Sequence, residues 1–171
     1  MSKAFFLIMD VDGTLTDGKI YIGNNGECMK AFHVKDGFGI VHILPLYNII
    51  PVVITARESD IVANRCKELG IHYLFQGVTD KLRQLDQMLK DKSEEDNEKY
   101  RYSDCAYIGD DFLDIECMRK IKCAGGLVGC PSDAIAEVSK IANFKSIQKG
   151  GDGAVRNFIE WLILQRKKED I

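Results

Sequence analysis

The chain has 171 residues, with 23 Lys and Arg against 26 Asp and Glu, for a formal net charge of −3 at pH 7. That balance offers no basic stripe to nucleic acid, and no apolar run is long enough to span a bilayer. Hydrophobic residues at 46% and charged residues at 29% instead predict one globular domain over residues 1–171.

The N-terminal Met1-Ser2-Lys3-Ala4 runs directly into apolar sequence with no signal-peptide pattern, which predicts a cytoplasmic protein. No two of the six cysteines have the spacing of a zinc knuckle or redox motif. They are expected as small buried apolar residues in a reducing compartment. His33, His42 and His72 form no ligand pattern and read as structural.

Residues 4–9 are an apolar run, expected as a strand buried on both faces. It ends in Asp10-Val11-Asp12-Gly13-Thr14. Two carboxylates one residue apart repel unless a cation or proton sits between them, and hard oxygens suit Mg²⁺. Asp-Gly is also a common turn pair, so this stretch alone fits an ordinary acidic turn as well. A hairpin is expected over about residues 19–34, around Gly23-Asn24-Asn25-Gly26.

Residues 37–47 carry apolar side chains at helical spacing, and 51–55 read as a second buried strand. Residues 59–69 predict a helix closed by Gly70, 71–75 a short strand, and 80–89 a helix facing inward through Leu82, Leu85, Met88 and Leu89. Residues 91–103 read as a solvated helix end and loop. Then come a strand over 104–108, a helix over 112–121, a strand over 122–128, a helix over 133–139, an edge strand over 141–144 and an amphipathic helix over 151–166. This alternation predicts an α/β, doubly wound, Rossmann-like parallel sheet, whose ligands gather at the C-terminal strand ends.

Four stretches in order resemble the motifs of the haloacid dehalogenase (HAD) phosphatase superfamily: Asp10-Val11-Asp12-Gly13-Thr14; Val53-Ile54-Thr55-Ala56-Arg57; Lys81 after Gln76-Gly77-Val78-Thr79-Asp80; and Tyr107-Ile108-Gly109-Asp110-Asp111-Phe112-Leu113-Asp114. The resemblance implies Mg²⁺-dependent phosphoryl transfer to Asp10 as nucleophile. It implies Asp12 as general acid and base, with its backbone carbonyl free for the metal. Thr55 would donate to a phosphoryl oxygen and Lys81 would neutralise the crowded carboxylates. Asp110 is expected as a direct metal ligand beside Asp10 and Asp12, Asp111 as a ligand through water, and Asp114 as their support. Ala56, where such relatives usually carry glycine, together with Arg57 and Arg65 completes the expected substrate contacts. Arg57 reads equally as a grip on a substrate carboxylate or as a solvated arginine.

Further residues resemble the capless 3-deoxy-D-manno-octulosonate 8-phosphate (KDO 8-phosphate) phosphatases. They are Asp17-Gly18, Glu27, Lys30, Phe32, Asp36-Gly37-Phe38-Gly39-Ile40, Arg65-Cys66, Leu69-Gly70-Ile71, Phe75-Gln76-Gly77 and Gly150-Gly151-Asp152-Gly153-Ala154-Val155-Arg156. This implies a HAD fold with a hairpin and no cap domain, a sugar-acid phosphate substrate, and a homotetramer with the hairpin at the subunit interface. The Gly150–Gly153 loop is expected near a site. Two other readings compete: a nonulosonate 9-phosphate phosphatase, whose relatives carry an acidic residue in place of Arg57, and a non-catalytic tetramerisation domain related to cytidylyltransferase fusions. Intact Asp10, Asp12, Lys81 and Asp110 argue against the last.

Overall fold

The computed structural model describes residues 3–169. Its main sheet has six parallel strands: β1 (Phe5–Met9), β4 (Ile49–Ile54), β5 (Tyr73–Phe75), β6 (Cys105–Ile108), β7 (Leu127–Cys130) and β8 (Phe144–Lys145), in the spatial order β5-β4-β1-β6-β7-β8. From β1 the chain first builds outward through β4 and β5, then crosses to the other side for β6, β7 and β8. The order therefore reverses between β1 and β6, where open α/β sheets form their binding crevice. A separate two-stranded antiparallel hairpin, β2 (Tyr21–Gly23) and β3 (Gly26–Met29), follows β1.

Helices cover both faces, and the alternation along β1 separates the two cores. Phe5, Leu7 and Met9 pack with Val62 and Cys66 of α2 (Asp60–Glu68) and with Val155, Phe158, Ile159 and Leu162 of α6 (Ala154–Glu169). Phe6 and Ile8 face Leu85 and Met88 of α3 (Lys81–Asp96), Met118 and Ile121 of α4 (Ile115–Cys123), and Val138 of α5 (Ala136–Ile141). Gly129 of β7 lets α6 seat closely, because a Cβ there would stand 2.5 Å from the Phe158 ring.

Several boundaries differ from expectation for local reasons. The helix expected over 37–47 begins earlier, as α1 (Val34–Phe38), and continues in irregular helical turns to Tyr47. His33 caps it, accepting from Lys35 N at 3.2 Å. The stretch expected to leave the helix after Leu89 stays helical to Asp96. Side-chain pairs one turn apart hold it: Gln87 with Asp91 at 2.6 Å and Lys92 with Asp96 at 2.8 Å. Lys122 and Cys123 belong to α4, and the strand starts only at Leu127. Gly126 packs so tightly under β6 that a Cβ would lie 2.5 Å from Cys105 O. The final helix runs past Arg166 to Glu169; Met1, Ser2, Asp170 and Ile171 lie outside the described residues.

The six thiols are free, but only Cys66, Cys105, Cys117 and Cys130 are buried; Cys28 and Cys123 are exposed, contrary to expectation. Burial pushes the thiol pKa up to about 11 at Cys66 and about 12 at Cys117. Iodoacetamide at neutral pH should therefore label Cys28 and Cys123 in the native protein and all six thiols in urea. Mass spectrometry of the labelled peptides checks this.

Candidate active site

The apolar side chains of β1 stop at Asp10, which is buried. Its N–H donates to Ile108 O at 3.1 Å, so the pairing of β1 with β6 extends past the last apolar residue. This draws Asp10 beside the loop after β6. One carboxylate oxygen each from Asp10, Asp110 and Asp114 lies within 4.8 Å of the others.

Two glycines make the approach possible. Gly13 has φ +97°, and a Cβ there would stand 2.1 Å from Asp110 Oδ2. A Cβ on Gly109 would stand 2.4 Å from Asp114 Cγ.

Lys81 heads α3, where Asp80 caps the helix by accepting from Arg83 N at 3.0 Å. Its ammonium is buried and bridges Asp10 Oδ1 at 2.5 Å and Asp114 Oδ1 at 2.8 Å. Burial alone would lower its pKa, but the two carboxylates outweigh that and raise it, so Lys81 stays charged. Asp114 is saturated further: Tyr107 OH donates to Oδ1 at 2.7 Å, and the N–H groups of Asp110 and Asp111 donate to Oδ2 at 3.0 and 3.1 Å. Asp10 is raised well above the usual carboxylate range by burial and then by Asp114, in spite of Lys81. Burial pushes Asp110 up to about 7, although Thr14 Oγ1 donates to it at 2.8 Å.

Thr55, at the end of β4, is buried, with its N–H donating to Phe75 O at 2.9 Å. A pocket of about 180 Å³ opens over these groups, lined by Asp10, Asp12, Thr55, Ala56, Arg57 and Lys81 together with Asp111 and Asp114. A larger cavity of about 480 Å³ lies by His33, Asp152 and Arg156 and shares no lining residue with the smaller one. Volume does not decide between them; the converging carboxylates make the smaller one the candidate reactive site.

No family model matches the chain. It is 40% identical over 164 residues to the 3-deoxy-D-manno-octulosonate 8-phosphate phosphatase of Salmonella typhi, spanning 96% of this chain and 81% of that protein. The chain belongs to the KDO 8-phosphate phosphatase family. The crystal structure of the Yersinia pestis phosphatase matches it with a TM-score of 0.85 at 36% identity, covering 96% of this chain and 83% of that one. That of the Moraxella catarrhalis phosphatase, in complex with a magnesium ion, a phosphate ion and a KDO molecule, matches with a TM-score of 0.83 at 34% identity, covering 98% and 90%.

As a KDO 8-phosphate phosphatase family member, the chain brings most of its expected site residues together, but not all in the expected manner. The Asp12 side chain turns from the cluster toward the hairpin, where Lys30 binds its Oδ1. The Asp111 carboxylate is exposed and caps Phe112 N at 2.7 Å. Arg65 does not line the pocket: it pairs with Glu68 at 2.7 Å and lies 5.7 Å over the Phe32 ring. Thr14, Tyr107, Glu27 and Lys30 enter the network without having been assigned roles. Thr14 and Tyr107 sit inside the quoted motifs, and a hydroxyl beside paired acids at a strand end was their signal.

The Gly150 loop packs on the turn after β1, with Gly151 N donating to Thr14 O at 3.0 Å. A Cβ on Gly150 would stand 1.8 Å from Gly13 O. The loop thus supports the site from behind. Lys81→Met would leave Asp10 and Asp114 buried without their cation. It should cost about 3–5 kcal/mol of stability, read by urea denaturation in the presence of a metal chelator.

Proposed function

We propose that the protein hydrolyses KDO 8-phosphate to KDO and inorganic phosphate, with Mg²⁺, through an aspartyl-phosphate on Asp10. The observation that carries this reading is the placement of Asp10 at the β1–β6 crevice, locked by Lys81 and facing Asp110. Family membership supplies the substrate class.

The residues fit a hard divalent cation. Three carboxyl groups share one buried corner with a single ammonium, and like charges that close repel by roughly 3 kcal/mol per pair at an effective dielectric of 20. Asp10, Asp110 and the main-chain carbonyl of Asp12 would hold Mg²⁺, with Asp111 contributing through water. Asp114, already saturated by Lys81, Tyr107 and two N–H groups, would orient the loop rather than bind. When bound, Mg²⁺ supplies positive charge against the phosphoryl oxygens.

In the first half-reaction an Asp10 carboxylate oxygen attacks phosphorus while the bond to the C8 oxygen breaks. Asp12 gives that oxygen its proton. In the second, Asp12 takes a proton from water as the water oxygen attacks phosphorus, and the bond to Asp10 breaks, releasing phosphate. Thr55 donates to a phosphoryl oxygen, and Lys81 offsets the charge on Asp10 throughout. Arg57, half exposed at the pocket mouth, grips the substrate carboxylate. An arginine here, where the nonulosonate reading expects an acidic residue, is the local feature on which the octulosonate reading leans; the carboxylate it would grip is common to both sugar classes.

The same reading makes the protein a cytoplasmic homotetramer. Six free thiols suit a reducing compartment, and Ile22 and Met29 leave apolar surface on the hairpin.

Phosphate release with Mg²⁺ should be much faster from KDO 8-phosphate than from 9-phosphorylated nonulosonates; the reverse order moves the substrate assignment. Chelation should stop turnover, and added Mg²⁺ should restore it. Asp10→Asn should lower kcat by about 10³-fold or more. Its thermal midpoint without metal should be equal or higher, because the amide relieves the crowding of carboxylates.

A further inference from the structure

The hairpin sheet is separate from the main sheet, and polar side chains tie it to the site. Lys30 reaches inward from the end of β3 until its side chain is only 1% exposed. Its ammonium binds Asp12 Oδ1 and lies 3.1 Å from Glu27 Oε1. Glu27 Oε2 accepts from Ser59 Oγ, and Ser59 caps α2 through Val62 N at 3.4 Å. Arg57 closes a ring, with Nε 3.9 Å from Asp12 Oδ2 and Nη2 3.8 Å from Glu27 Oε1. Once Asp12 has given up its proton, two carboxylates and two cations alternate, so the quartet then carries no formal net charge. A lysine this far from water is tolerable because both carboxylates face it.

We propose that Lys30 is a positioning residue for the phosphatase reaction, fixing the Asp12 carboxylate from the hairpin while Glu27 holds Lys30 and Arg57 in place. The proposal rests on the acid and base role given to Asp12 above. Lys30 occupies Oδ1 and leaves Oδ2 on the side of Arg57, which lines the catalytic pocket with Asp12. A carboxyl group that first gives a proton to the leaving alcohol and then takes one from water must present the same oxygen twice. The side chain alone has two free torsions, and small misplacements of a proton donor cost rate steeply. Lys30 removes that freedom.

The test compares kcat/KM for two esters in wild type, Lys30→Met and Lys30→Arg. KDO 8-phosphate loses an alkoxide that needs a proton. p-Nitrophenyl phosphate loses a phenolate that does not. Lys30→Met should lower kcat/KM for the sugar phosphate by about 10–100-fold, chiefly through kcat, with less than about a threefold loss on the aryl ester. Lys30→Arg, which keeps the cation, should recover much of the difference.

Equal losses on both esters would make Lys30 a plain structural anchor and overturn the proposal, as would no loss. Should Lys30→Met fail to fold, Glu27→Gln carries the comparison by loosening Lys30 without emptying its place: a selective loss supports the proposal and an even one overturns it. A wild type inert toward KDO 8-phosphate but active on another alkyl phosphate overturns the substrate reading alone, and the comparison runs on that ester. A wild type inert toward both classes overturns both readings.

Discussion

Asp10, Asp110 and Asp114 crowd three carboxyl groups into one buried corner, and the Lys81 ammonium, shared between Asp10 and Asp114 at 2.5 and 2.8 Å, makes that corner foldable. Without it, two buried acids would have to give up their charge or force the strand ends apart. With it, Asp114 turns its second oxygen to the N–H groups of Asp110 and Asp111. The loop after β6 therefore takes its shape from a cation carried by a different element, α3. Asp110 is left poorly compensated. The stability of the folded corner and its appetite for a further cation have the same electrostatic origin.

The sheet order decides where this happens. β1 lies between β4 and β6, so side chains from three strand ends and the start of α3 can meet over one point. Thr55 comes from β4, Asp10 from β1 and Asp110 from β6. Close approach of the loops needs backbone without side chains. Gly13 and Gly109 supply it within the site, and Gly150 lets the final loop press against Gly13 from behind. These glycines are packing requirements of the chemistry, because each would-be Cβ falls on an atom of the site or of the turn that carries it.

Much of this was legible in the chain. Apolar runs ending in paired acids marked β1 and β6, and the alternation of strand and helix gave the parallel sheet. The positions of Asp10, Thr55, Lys81 and Asp110 follow from motifs that sit at strand or helix ends. What was not legible depends on side-chain direction across long sequence separations. Spacing shows that Asp12 follows Asp10, but not that its carboxylate turns to a lysine 18 residues on. Arg65 stands in a family-like stretch, yet helical phase on α2 carries it to Phe32 rather than to the pocket. The run of α3 to Asp96 was hidden because its apolar face ends early, while Lys92 and its acidic neighbours continue the helix by surface pairing.

The hairpin gives the capless site its character. A pocket of about 180 Å³ is small beside the several hundred Å³ typical of pockets that enclose a ligand, so it suits the phosphoryl end of a sugar phosphate better than the whole molecule. Specificity then has to come from groups at the mouth. Arg57 stands there, and its near neighbours Asp12 and Glu27 are both bound by Lys30. The proposed acid and base, the proposed substrate grip and the hairpin thus share one cluster of paired charges. Moving any member leaves a charge unpaired in a half-buried place. A short insertion with little core of its own can in this way be held in register with the Asp12 carboxylate, a task that a packed cap domain would otherwise perform with apolar surface.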